Sequence, residues 1–241
     1  MRIDASTRAI VTGASRGIGH ALAQELTARG ATVGRLSRTG EVPCDVGDRA
    51  QVEAAFARFV ERAGGLDLVV ANAGIAHYGP FAEQDLERAE EMTRVNWLGT
   101  LYTVRAALDH MTAGHLVIVS SGAGLRAFPW AAAYGATKAA QRAFGEALRH
   151  ELSGISVTTV FPGEIATGLH DHEKDRMPEW YGGGADAGRL ARAVLSAVDR
   201  DRRSVAFPPF VRLLGLNGLS PRLTDAILRR MRGASAAPRR D

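Results

Sequence analysis

Short apolar runs alternate along this chain with longer stretches whose apolar positions recur every three or four residues. Ala9–Thr12 reads as a strand running into glycines. Gly17–Arg29 reads as a helix with Ile18, Leu22 and Leu26 on one face and Gly30 at its end. The alternation continues with a strand at Thr32–Leu36, a helix at Asp48–Ala63 and a strand at Leu66–Ala71. A long helical region then covers Leu86–Met111. Strands at Leu116–Ser120 and Val157–Phe161 flank a helix at Tyr134–Leu152, and a helix at Arg189–Val198 leads into a closing strand at Ser204–Phe207. Strand–helix alternation of this kind predicts an α/β fold, a doubly wound parallel sheet with helices on both faces. No repeat, low-complexity stretch or linker interrupts it. Residues 1–207 are expected to form one domain, and 208–241 a basic C-terminal extension, helical with a disordered end.

One connection breaks the pattern. Only the six residues TGEVPC separate Arg38, at the end of the second strand, from Asp45. A right-handed parallel crossover ordinarily needs about ten or more. The helix between strands 2 and 3 is therefore expected to be missing.

With 241 residues, the chain can bury a sizeable core. Its single cysteine, Cys44, excludes an internal disulfide, so a cytoplasmic location is expected. No apolar run is long enough to span a bilayer, and the N-terminus lacks the pattern of a secretory signal. The formal charge of +4 raises the question of a polyanionic partner. Residues 200–241 hold ten arginines against Asp201, Asp225 and Asp241, so the tail sums to +7 and residues 1–199 to 4 − 7 = −3. A slightly acidic body argues against a nucleic-acid module.

The candidate chemistry begins at Thr12-Gly-Ala-Ser-Arg-Gly-Ile-Gly19, between a strand and an amphipathic helix. Glycines there permit a tight turn and close backbone approach, and the helix N-terminus presents free N–H groups to a pyrophosphate. A site selective for NAD carries an acid at the end of the second strand. Here that end reads Leu36-Ser37-Arg38, and Arg16 with Arg38 could grip a 2′-phosphate, so NADP(H) is preferred over NAD(H). Tyr134 and Lys138 stand four apart at the start of a helix, on one face. A lysine cation about 5 Å from the phenol favours tyrosinate by roughly 3 kcal/mol, or about two pKa units. That suits a general acid/base at neutral pH. Ser121 lies thirteen residues upstream, beyond a central strand; Ser120, its neighbour, points the opposite way on that strand.

In this order the motifs resemble the short-chain dehydrogenase/reductase family, in its compact branch. The matching residues are TGASRGIG (12–19), Asp45-Val46, Asn72-Ala73-Gly74, Asn96 in VNWLGT, Ser121, the YxxxK of Tyr134 and Lys138, and Pro162-Gly163 followed by Thr167. The resemblance spans roughly residues 5–207 and implies a Rossmann-like fold and NADP(H)-dependent interconversion of a carbonyl and a secondary alcohol. It implies Tyr134 as proton donor or acceptor and Lys138 as the cation beside it and on the nicotinamide ribose. Ser121 would bond the substrate oxygen, and Asn96 would hold a relay water. Gly13, Ser15, Arg16, Ile18 and Gly19 would line the phosphates and adenosine ribose. Asp45 and Val46 would flank the adenine, with Asn72, Ala73 and Gly74 on the adenosine side. Pro162, Gly163, Ile165 and Thr167 would meet the nicotinamide end. A homodimer or homotetramer is implied as well. The C-terminus lacks the Gly-Gly ending of family reductases that act on acyl thioesters. The alternative to an enzyme is a non-catalytic dinucleotide-binding regulator or scaffold.

Other features read more plainly. His170-Asp-His-Glu173 is taken as a polar part of a lid and not as a metal site. Met177, Trp180 and Tyr181, with Tyr78, Leu125, Phe128 and Trp130, are candidates for lining an apolar substrate cleft. Val211–Met231 is apolar and basic; packing on the body or on a second subunit is preferred there over a membrane surface.

Overall fold

The computed structural model describes residues 1–40, 42–169, 184–218 and 220. Seven strands form one sheet in the order β3-β2-β1-β4-β5-β6-β7, every pair parallel. They are β1 (Arg8–Thr12), β2 (Thr32–Ser37), β3 (Val42–Pro43), β4 (Leu68–Ala71), β5 (Gly114–Val119), β6 (Ile155–Pro162) and β7 (Ser204–Phe207). The period of two decides the layering. Ala9, Val11, Leu68, Val70, Val117 and Val119 enter one core, beneath α1 (Gly17–Ala28) and α7 (Ala187–Asp199). Ile10, Val69, Leu116 and Ile118 enter the other, with Phe56 and Phe59 of α2 (Arg49–Ala63). Both faces of the central strands are buried, which is why they read as unbroken apolar runs. This is a single α/β domain with a doubly wound parallel sheet, as the alternation predicts.

The short connection behaves as expected. Residues 38–41 alone join β2 to β3, and β3 pairs through only Leu36↔Val42 and Ser37↔Pro43. Where a crossover helix would lie beside α1, Arg35 donates from its guanidinium to Thr27 Oγ1 of that helix at 3.2 Å. Cys44 is buried behind β3, and burial with the nearby Asp45 and Asp48 charges pushes its thiol up to about 11.

The long helix expected over Leu86–Met111 is instead three pieces. These are α3 (Leu86–Met92), a π-helical turn (Thr93–Leu98) and α4 (Gly99–Leu108). β5 ends at Val119, before Ser120, and a short helix α5 (Gly122–Leu125) precedes α6 (Ala132–Glu151). After β7 a 3-10 helix runs from Pro209 to Gly218. Among the described residues no helix is long and apolar enough to cross a membrane.

Candidate active site

The turn after β1 is held by Thr12. Its hydroxyl accepts from Asn72 N at 3.0 Å and Ala73 N at 3.2 Å and donates to Val70 O at 3.3 Å. The Asn72 amide donates back to Thr12 O at 2.9 Å and Gly13 O at 3.3 Å, strapping the glycine turn to the end of β4. Ala14 N donates to Leu36 O at 3.1 Å and ties the turn to β2. Gly13 and Gly17 have φ of +66° and +61°, where a side chain is strained. A Cβ on Gly19 would fall 2.3 Å from Gly13 O and 2.4 Å from Asn72 Nδ2. The N-terminus of α1 thus lies open behind Ser15 and Arg16, both exposed, while Ile18 packs half-buried against the core.

Arg38 is exposed at the end of β2, and neither it nor Arg16 has an ion pair among the described residues. Asp45 is engaged by Arg94, which sequence reasoning did not single out, at 3.0 Å. Burial raises the Asp45 carboxyl, but the Gly47 amide, Arg94 and the charge of Arg38 outweigh it and hold it below the usual range. The Val46 side chain is buried against Gly99 of α4, where a Cβ would meet it at 2.7 Å.

Beyond β5 the two serines part. Ser120 is buried and donates to Lys138 O at 2.7 Å, pinning the first turns of α6 to the strand. Ser121 caps α5 by accepting from Ala123 N at 3.1 Å, and its hydroxyl is hydrogen-bonded to Tyr134. Lys138, one turn along α6, places Nζ 5.7 Å from the centroid of the Tyr134 ring and donates to Val119 O at 3.2 Å. The ring of Tyr78 tilts against Tyr134 at 5.8 Å. Ser121, Tyr134 and Lys138 are therefore brought together at the C-terminal edge of the sheet.

Asn96 sits in the π-helical turn and is fully buried. Its Oδ1 accepts from Ile75 N at 2.8 Å, and its Nδ2 donates to Ile75 O at 3.0 Å and Thr137 Oγ1 at 3.1 Å. Its main-chain oxygen accepts from Gln141 Nε2 at 2.9 Å and Thr100 Oγ1 at 2.7 Å. This clamp on the segment after β4 explains the widened helical turn, since π turns open where backbone groups are drawn to outside partners. Gly74 keeps the centre open: a Cβ there would lie 3.2 Å from Asn96 Oδ1 and 3.4 Å from Lys138 Nζ.

Burial acts on both titratable groups of this cluster. Burial raises the Tyr134 phenol to about 12, offset in part by the Ser121 bond. Burial likewise takes Lys138 down to about 7, so its own charge is weakened. Both groups are enclosed by protein, which disfavours the charged form of each.

The last segment folds over the same edge. Pro162 ends β6, and Gly163 N donates to Phe207 O at 2.7 Å. Ile165 bridges Ala185, with Ala166 N to Ala185 O and Ala185 N to Glu164 O both at 2.9 Å. Thr167 reaches the glycine turn, where a Cβ on Gly17 would meet its Cβ at 3.1 Å. Leu125 and Phe128 are half-buried nearby, and Trp130 is 37% exposed. His170, Asp171, His172, Glu173, Met177, Trp180 and Tyr181 lie outside the described residues. Among the described residues no group of three or more His, Cys, Asp or Glu could hold a metal ion.

Thr137, Gln141 and Arg94 support this site without any motif role to mark them, and Thr12, the first residue of the glycine motif, supports it through its hydroxyl. The available signal is weak: polar side chains at the ends of apolar strands or on the apolar face of a helix.

Known proteins carry the same plan. The pattern of the short chain dehydrogenase family matches residues 37–178. The chain is 34% identical over 182 residues to an uncharacterized oxidoreductase of Staphylococcus aureus (strain MW2), covering 67% of this chain and 79% of that protein. It is 37% identical over 184 residues to glycine betaine reductase ATRR of Emericella nidulans, a match covering 67% of this chain but 14% of that longer protein. Among solved structures, a short chain dehydrogenase from Burkholderia cenocepacia J2315 in complex with NADP superposes with a TM-score of 0.82 at 28% identity. That match covers 94% of this chain and 98% of the other. A Burkholderia phymatum enzyme of the same class, in complex with NAD, shares the fold with a TM-score of 0.82 at 23% identity, covering 93% and 96% of the two chains. Sequence pattern, relatives and fold agree, and the chain belongs to the short-chain dehydrogenase/reductase family of oxidoreductases.

Proposed function

We propose that the protein interconverts a carbonyl and a secondary alcohol using NADP(H), with Tyr134 as the general acid and base. The observation that carries this reading is the Ser121–Tyr134–Lys138 cluster. A phenol hydrogen-bonded to a serine hydroxyl lies beside a buried ammonium that has, among the described residues, one protein acceptor, Val119 O, for its three N–H groups. Those spare donors fit the vicinal hydroxyls of a ribose, and the open glycine turn at the start of α1 fits a pyrophosphate. The dinucleotide, when bound, supplies or accepts the hydride.

In the reducing direction the Ser121 hydroxyl orients the carbonyl oxygen, and Tyr134 Oη donates the proton that the developing alkoxide needs. In the oxidising direction Tyr134 Oη takes that proton from the alcohol. In the ligand-free protein burial raises the phenol and lowers the ammonium, and ligand hydroxyls at Lys138 would favour its charged form. That charge then draws the Tyr134 pKa down. Asn96 acts mainly through position: its clamp fixes Ile75 and Thr137 around Lys138, and a relay water would have to share its already engaged carbonyl.

The preference for NADP(H) is supported by Arg16 and Arg38, both exposed and unpaired, and by the lack of an acid at Ser37-Arg38. A screen of ketones, aldehydes and alcohols with NADPH and NADH in parallel tests both points. Native enzyme is expected to favour NADPH, and Arg38→Glu to lower kcat/KM for NADPH at least tenfold while sparing NADH. Equal use of both cofactors by native enzyme, unaltered by Arg38→Glu, would refute the assignment.

A further inference from the structure

The 3-10 helix at Pro209–Gly218 repeats every three residues, so its side chains fall into three rows. One row is internal: Val211 is 1% exposed and Leu214 half-buried. They pack where a Cβ on Gly122 would lie 3.3 Å and 3.1 Å from them. A second row is apolar and faces outward, with Phe210 66%, Leu213 63% and Leu216 50% exposed. Those three, with Phe81, Leu86 and Trp130, are the exposed large hydrophobic residues among the described part of the chain. The third row contains Arg212, which lines a cavity of about 230 Å³ together with Arg200, Arg202, Ser196 and Ser204.

No acidic side chain lines that cavity. None of the three arginines has an ion pair among the described residues. The neighbouring Asp199 is taken up by Arg29 at 2.9 Å and by Ile3 N at 3.0 Å. An anion-sized cavity lined by three arginines that have no ion pair among the described residues therefore adjoins a stripe of three exposed apolar side chains. The 21 residues that follow, 221–241, add six arginines against Asp225 and Asp241.

We infer that this corner docks on an anionic phospholipid surface, with a headgroup phosphate at Arg200, Arg202 and Arg212 and Phe210, Leu213 and Leu216 entering the acyl boundary. Apolar burial and attraction to anionic headgroups are the two contributions that together hold a peripheral protein on a bilayer. A second copy of the chain could bury the stripe equally well, but it would bring the same three arginines with only Asp201 between them, setting net positive charge against net positive charge. Charge complementarity therefore selects the anionic lipid.

The test is co-sedimentation of the full-length protein with phosphatidylcholine vesicles, with and without phosphatidylglycerol. Binding is expected only with the anionic lipid, and it should weaken as salt rises. Arg200→Glu with Arg202→Glu, and separately Phe210→Ser with Leu213→Ser, should each weaken it at least tenfold. These side chains are exposed, so the melting temperature and dinucleotide binding should hold in both variants, excluding misfolding as the cause. Three results would overturn the inference: no binding to anionic vesicles, equal binding to both compositions, or native-like binding by both variants. So would a concentration-dependent dimer seen by light scattering that the Phe210 and Leu213 changes dissolve, since the stripe would then be a contact between copies.

Discussion

Lys138 is 4% exposed, and the carbonyl of Val119 is its one acceptor among the described residues. Burial lowers its pKa from 10.5 to about 7, so the unfolded chain binds this proton more tightly than the folded one. The resulting penalty is full below about pH 7 and fades as pH rises toward 10.5, on the order of 3–5 kcal/mol at neutral pH. Lys138→Met should therefore abolish turnover yet stabilise the ligand-free protein by about 1–3 kcal/mol at pH 7, with the gain shrinking at pH 10. Urea unfolding at the two pH values checks it. His115 gives the opposite limb. Thr158 donates its one hydroxyl proton to Arg202 O at 2.6 Å, so the His115 ring must donate from Nε2 to Thr158 Oγ1 at 2.8 Å. Nδ1 is left buried without a partner, and burial lowers the ring pKa from 6.5 to about 4. Its contribution is present above pH 6.5 and lost as pH falls toward 4. Between pH 7 and 5 the native protein should lose about 2 kcal/mol that His115→Leu does not lose, measured as the shift in urea midpoint.

Among the elements, the glycine turn was legible in the sequence because its geometry admits few residues. At Gly19 the obstacle to a side chain is backbone, Gly13 O at 2.3 Å. Gly19→Ala must push the turn away from Asn72, and dinucleotide affinity is expected to fall at least tenfold, read by titration of NADPH fluorescence. The π turn at Thr93–Leu98 was not legible, for an equally physical reason. Periodicity over Leu86–Met111 is helical throughout, and the break is imposed by Asn96 reaching Ile75 and Gln141 reaching Asn96, contacts between distant parts of the chain. The short helix α5 was hidden similarly, since Gly122-Ala-Gly-Leu125 has no helical signature and is fixed by the Ser121 cap and by Val211 and Leu214 beyond.

At the scale of the whole molecule, the parallel sheet does the assembling. The glycine turn follows β1, Asn72–Gly74 follow β4, Ser120 and Ser121 follow β5, and Pro162-Gly163 close β6. Every strand runs the same way, so segments spread over some 150 residues of sequence meet at one edge. The order β3-β2-β1-β4 reverses direction between β1 and β4, where a dinucleotide crevice is expected. Strand alternation and motif order made that much readable in advance, including the missing crossover helix between β2 and β3. The surface of the C-terminal helix was not readable, because the sequence does not announce the 3-10 period of three that sets Phe210, Leu213 and Leu216 in a single row. The central claim, that Tyr134 moves the proton in a carbonyl–alcohol interconversion, is tested most directly by Tyr134→Phe. NADPH oxidation with an accepted carbonyl substrate should fall by at least about a hundredfold while NADPH affinity stays within about twofold of native. Turnover near the native rate in that variant would contradict the assignment.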